Sequence, residues 1–304
     1  MPADSAFADS LVVEQGFAYP DWDGIARHIE STLPESGWGA AWEKVAHQWL
    51  EHLRQHLGEA YQVHETSNFL ILTSAPGHIA EDAKQSAEAS LSQILRHLDG
   101  SASDLGYGKH VVLMFAESGD YYQYVAHFHP DGDVPMSGGL CIQSGYTHYA
   151  FPTYDHNGYR TVLAHELTHA CLSHLPIPAW LNEALAMRME TAVTGDSIFY
   201  LDREIFERHL HHWNEETIQQ FWSGAAWQIP GDSFELSYNL AEILWRKIEV
   251  DLNASKDQVT SFINAATYED GGESAFRATF ALGLEELAAD FLGDGPWAPR
   301  PERF

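Results

Sequence analysis

His165-Glu166-Leu167-Thr168-His169 sets two imidazoles four residues apart with a carboxylate between them. On a helix that spacing puts both rings on one face, where each can offer a nitrogen to the same metal ion. Glu166 lies beside that face, so its carboxylate reaches a water on the metal rather than the metal itself, which is the placement a general base needs. A catalytic zinc takes three protein ligands and keeps one position open. Glu183, in Asn182-Glu183-Ala184-Leu185-Ala186, is the obvious downstream carboxylate. The set implied is His165, His169 and Glu183 around one Zn2+ per chain, with Glu166 as base.

Histidine is common in this chain, 18 residues of 304, and its composition allows roughly 0.1 chance occurrences of such a motif. The surroundings therefore decide. Thr161 to Ala164 before the motif and Ala170 to Leu172 after it continue a buried helical pattern, so the His pair belongs to an inner face rather than a surface helix. Leu175-Pro176-Ile177-Pro178 breaks the chain, and an apolar-rich helix resumes at Ala179-Trp180, which lets Glu183 swing back toward the histidines. The competing reading is a core helix whose two histidines are simply hydrogen-bonded. A metzincin ligand set fails, because Leu172 and Leu175 occupy its glycine and third-histidine positions. His174 follows His169 by five residues and points off the metal face unless the helix ends first; it is the minor alternative ligand, with a helix C-terminal cation as the plainer role.

On these residues, H-E-L-T-H followed by a Pro-containing turn and W-L-N-E-A-L-A, the chain resembles the gluzincin zinc metallopeptidases, and among them the peptidase MA-like families. Ala184 stands where that family often has glycine. The resemblance spans roughly 160–190 and implies a zincin-like fold, ligation by His165, His169 and Glu183, catalysis by Glu166, and hydrolysis of a peptide or protein substrate. It also implies an edge strand ahead of the metal helix, to which an extended substrate adds as a further strand. Tyr238 opens an apolar helix at a distance past the third ligand where related gluzincins carry a tyrosine that donates to the oxyanion; a core aromatic is the alternative. A zinc-binding or protein-interaction domain without turnover is the second functional reading, and the intact Glu166 argues against it.

The elements that must position these groups follow from periodicity. Residues 41–57 bring Trp42, Val45, Trp49, Leu50 and Leu53 to one helical side. Residues 61–64 and 68–73 read as a hairpin, 79–98 as a long helix, 110–115 as a buried strand, and 118–126 as a helix with a serine cap. A second hairpin, 137–142 with 147–151, precedes the metal helix, and its Gly138 and Gly139 permit either close backbone approach or an ordinary turn. His127, His129, Asp131 and Asp133 form a polar cluster whose spacing matches no metal site; a solvated loop is expected. Helices are predicted over 202–213, 216–222, 235–249, 256–266 and 285–292, with 274–291 as a closing helical pair. The expected class is α+β: a small mixed sheet with an active-site helix, then a mainly helical part. The divisions are an irregular segment 1–38 with a short helix at 22–33, a catalytic region 39–192, a helical part 193–294, and a loose tail 295–304.

Forty-four acidic residues against 16 basic ones give a formal net charge of −28. That balance excludes the cationic footprint a nucleic-acid partner requires and disfavours an anionic membrane surface. A well-solvated surface explains the charge more simply than selection of cationic peptides. Cys141 and Cys171 are too few for a disulfide framework, and Cys171 falls off the metal face as a small core residue. No basic-then-apolar leader opens the sequence and no long apolar run crosses it, so the expected compartment is the cytoplasm.

Overall fold

By its internal contacts the chain divides into two units, 1–92 with 105–167, and 93–104 with 168–304. The structure, a computed structural model, describes residues 11–129, 138–152, 158–195 and 199–304.

The first unit is built on a five-stranded mixed sheet in the order β3-β4-β5-β7-β6. Its strands are β3 (Gln62–Glu65), β4 (Phe69–Thr73), β5 (His110–Phe115), β6 (Leu140–Ile142) and β7 (His148–Pro152). β4, β5 and β7 run parallel, while β3 and β6 pair antiparallel at the two edges. The parallel strands read as unbroken apolar runs because both of their faces are covered. On one face Leu70, Leu72, Val111, Leu113, Ala150 and Ile142 join the main apolar cluster. Helices α1 (Trp22–Thr32), α2 (Trp38–Leu57) and α4 (Ser118–Ala126) supply most of the rest, together with Phe17, Tyr19, Tyr61, Phe115 and Tyr146. Alternation turns Phe69, Ile71, Val112, Met114, Tyr149 and Phe151, all buried, to the other face. Trp49 is 1 % exposed in the cluster and donates its indole N–H to Ala18 O at 3.1 Å. A side chain of that size, fully withdrawn from water with its polar atom satisfied, contributes on the order of 3 kcal/mol.

Residues 11–38 depart from the irregular segment expected there. β1 (Leu11–Glu14) and β2 (Phe17–Pro20) form an antiparallel hairpin. It closes over two residues, Gln15 at φ 51° and Gly16 at φ 94°, the positive pair that matches a tight turn to strand twist. Phe17 to Pro20 is buried throughout and shows no alternation of buried and exposed residues to announce a strand. Residues 1–10 of that segment lie outside the described residues. α1 follows where a short helix is predicted, capped by Asp21, whose Oδ1 accepts from Gly24 N at 3.0 Å. α4 covers 118–126 as expected, but its N-cap is Glu117 and no side chain caps it, so the serine cap is corrected. Of the polar cluster, Asp131 and Asp133 lie outside the described residues. His127 stacks on Tyr19 and pairs with Glu14 at 2.8 Å instead of standing in water alone.

His148, on β7, is wholly buried. Its Nδ1 lies 2.7 Å from Tyr146 O, which can only accept, so Nδ1 carries the proton and Nε2 accepts from the Tyr124 hydroxyl at 2.7 Å. Burial pushes its pKa down to about 4. With the folded value below the unfolded one near 6.5, the unfolded chain binds the proton first. The stability His148 supports is therefore full above pH 6.5 and is lost as pH falls toward 4. Between pH 7 and 4.5 that loss is about 2.5 kcal/mol. Urea unfolding of the wild type and His148→Gln at both pH values checks it: the variant's stability should fall less across this interval, and equal falls would contradict the assignment.

The second unit is helical. After α3 (Gly77–His97) and α5 (Gly158–Leu172), the two helices that the division cuts, come α6 (Ala179–Thr194), α7 (Arg203–His212), α8 (Thr217–Ser223), α9 (Asp232–Arg246), α10 (Lys256–Ala265), α11 (Glu273–Phe280) and α12 (Leu284–Leu292). α6 packs along α9, which is why it groups with these helices. Trp180 is their hub. It is fully buried, meets Phe221, Trp222 and Phe262, and donates to Gly271 O at 2.9 Å. The tail 295–304 is docked, not loose: Trp297 is buried, its carbonyl accepts from Trp222 Nε1 at 2.8 Å, and Gln219 bonds Ala298 O and Arg300 N. One anchoring indole outweighs the proline-rich composition that reads as loose. No helix among the described residues is long and apolar enough to cross a membrane.

Candidate metal centre

α5 carries two stripes. Leu163, Ala164, Leu167, Thr168, Cys171 and Leu172 are all buried at i, i+3, i+4 spacing, the apolar face that makes this segment a helix and holds it in the protein. Val162, His165, Glu166 and His169 form the other stripe and are only partly buried. The histidines are thus on a face kept accessible, not in the core stripe. At the C-terminal end of α5, Ser103 N satisfies Cys171 O at 2.9 Å. The break that follows is fixed by Tyr268 N donating to Pro176 O at 2.8 Å. Pro178 then caps α6 without a side-chain bond, its carbonyl accepting from Leu181 N and Asn182 N. Glu183 stands in the second turn of the new helix.

One ligand atom from each of His165, His169 and Glu183 lies within 4.8 Å of the others. His169 Nε2 is 3.6 Å from Glu183 Oε2. Two ligands at about 2.05 Å from a tetrahedral zinc stand about 3.3 Å apart, so the pair is separated by close to one metal's width. The donor set, two neutral imidazoles and a carboxylate, is one zinc accepts in catalytic sites. The three residues fit the ion. His174 is exposed past the last residue of α5 and is not in this group.

Cys141 of β6 has its thiol pushed up to about 12 by burial and then by the negative charge of Glu166. Cys171, buried as expected, is likewise raised to about 12, by burial and then Asp104. Upstream of β6, a Cβ on Gly138 would stand 3.2 Å from Val162 Cγ2 on the metal-side stripe, and one on Gly139 would collide with the Phe151 ring at 2.1 Å. The glycine pair thus leaves room for the Phe151 ring and the Val162 side chain of the protein itself. Tyr238 lies on α9, half-buried, with its ring edge-on to Trp227 and Phe234 at 6.0 and 5.1 Å.

Sequence reasoning missed two groupings. Asp82 of α3 accepts from Tyr159 and Arg160 at the start of α5, a pairing some 77 residues apart in sequence with no local signature. Glu43, His47 and Glu65 also bring ligand atoms within 4.8 Å of one another, and the i, i+4 spacing of the first two is the signal that could have found them. There Lys109 Nζ bonds Glu65 and stands 3.5 Å from Glu43, so an ammonium already supplies the cation. Neither a protein-family model nor a curated protein matches the chain; its function is therefore argued from the site alone.

Proposed function

We propose that this chain is a zinc-dependent metallopeptidase of the gluzincin type, with a zincin-like arrangement of sheet and ligand helix. One observation carries the reading: His165, His169 and Glu183, from two helices separated by a proline-containing break, converge their ligand atoms within 4.8 Å. Glu166 stands one residue from the first ligand. Zinc held by these three groups supplies Lewis acidity, bringing the pKa of water toward 7 and polarising the scissile carbonyl. Glu166 takes the proton of the attacking water and returns it to the leaving amine. Tyr238 donates its phenol to the oxyanion that develops in between. An extended substrate pairs with β6, one of the two edge strands of the sheet.

Removal of the metal tests the activity. Incubation with 1,10-phenanthroline should abolish cleavage of a mixed peptide library, and a stoichiometric addition of zinc should restore it. Cleavage that continues in protein verified to be metal-free would contradict the proposal.

A further inference from the structure

We infer that Asp82 is a positioning residue for the ligand helix, setting the rotation of α5 about its own axis so that His165 and His169 meet one metal ion; this rests on the zinc reading above. α3 is fixed to the protein by Ala80, Ala83 and Ala87, each at most 2 % exposed, and presents Asp82 to the first turn of α5. The Asp82 carboxylate accepts from the Tyr159 hydroxyl and, in a two-pronged pair, from Arg160 Nε and Nη2. Burial opposes ionisation of Asp82, yet these two donors hold its carboxyl below the usual range.

The geometry gives the clamp its leverage. At 100° per residue, Tyr159 and Arg160 lie about 120° one way and 140° the other way around the helix from His165. They straddle the back of the helix, opposite the ring that must find the metal. An imidazole tip stands about 6 Å from the helix axis, so a 10° rotation moves it by roughly 1 Å. Metal bonds tolerate deviations of about 0.2 Å. The buried apolar stripe holds α5 against the core through non-directional contacts; a carboxylate gripping a guanidinium and a phenol adds a directional restraint. The Arg160 and Asp82 side chains are 39 % and 37 % exposed, and a pair so placed contributes little to global stability, so its loss registers in the metal site before it registers in folding.

The test titrates Zn2+ into metal-free wild type, Asp82→Asn, Asp82→Glu and Arg160→Lys against a chelating dye, and records the visible spectrum of the Co2+ forms. Asp82→Asn should weaken zinc binding by about 10–100-fold and change the Co2+ band intensities. Asp82→Glu should recover most of both, and the unfolding midpoint of the metal-free proteins should stay near wild type. Should Asp82→Asn not fold, Arg160→Lys, which keeps the charge and loses the fork, carries the same expectation. Wild-type affinity and spectrum in the variants would overturn the positioning role while leaving the zinc site standing. A wild type that takes up no zinc would overturn the reading beneath it and the inference with it.

Discussion

Replacing Glu166 by Gln should lower kcat for peptide hydrolysis by about 10²–10⁴-fold, the span that loss of a positioned general base produces, while leaving one zinc bound. That is about 3–5 kcal/mol of transition-state stabilisation. The amide keeps the size of the carboxylate but exchanges one acceptor oxygen for a donating NH2 and accepts no proton at neutral pH. Glu166 lies in the accessible stripe of α5, outside the buried stripe that holds the helix, so the substitution leaves the fold intact. KM should move far less than kcat, since the group acts on the water and not on substrate binding. Full activity in Glu166→Gln would make this mechanism wrong.

His165→Ala should instead lose the metal. A tetrahedral site deprived of one of three protein ligands keeps only His169 and Glu183, and zinc affinity should fall by more than about 100-fold, the upper figure for losing a mere supporting group. Because zinc binds the folded chain, wild-type stability should rise by about 2.7 kcal/mol at a free zinc level 100 times Kd. The variant should show no such rise at that concentration. Thermal melts with and without zinc, run beside zinc titrations, separate this outcome from simple misfolding. A variant that binds and responds as wild type does would remove His165 from the ligand set.

The parts of the molecule that were legible in the sequence are those written in local spacing. The pairing of β3 with β4, the bounds of β5 at 110–115 and the helices flanking the Pro176–Pro178 break all follow from runs and periods a few residues long. His165 and His169 were legible for the same reason, and Glu183 because a proline-containing break must redirect the chain. What was illegible depends on partners distant in sequence. The β1–β2 hairpin is held by Phe17 and Tyr19 in a core that includes Val111, Tyr124 and Ala150, far along the chain. Trp297 ties down the tail through Trp222, and Asp82 finds Tyr159 only once α3 and α5 are folded. Composition marked 295–304 as loose because proline and glycine were counted and the one tryptophan was not. Which unit α6 joins depends likewise on its packing along α9, which no local period announces.

The zinc content of protein purified without exposure to chelator, wild type beside Glu183→Ala, tests the central claim most directly. The arrangement of His165, His169 and Glu183 predicts about one zinc per wild-type chain and markedly less in the variant. Equal zinc in the two proteins would move the third ligand elsewhere, and a wild type without metal would contradict the metal centre itself.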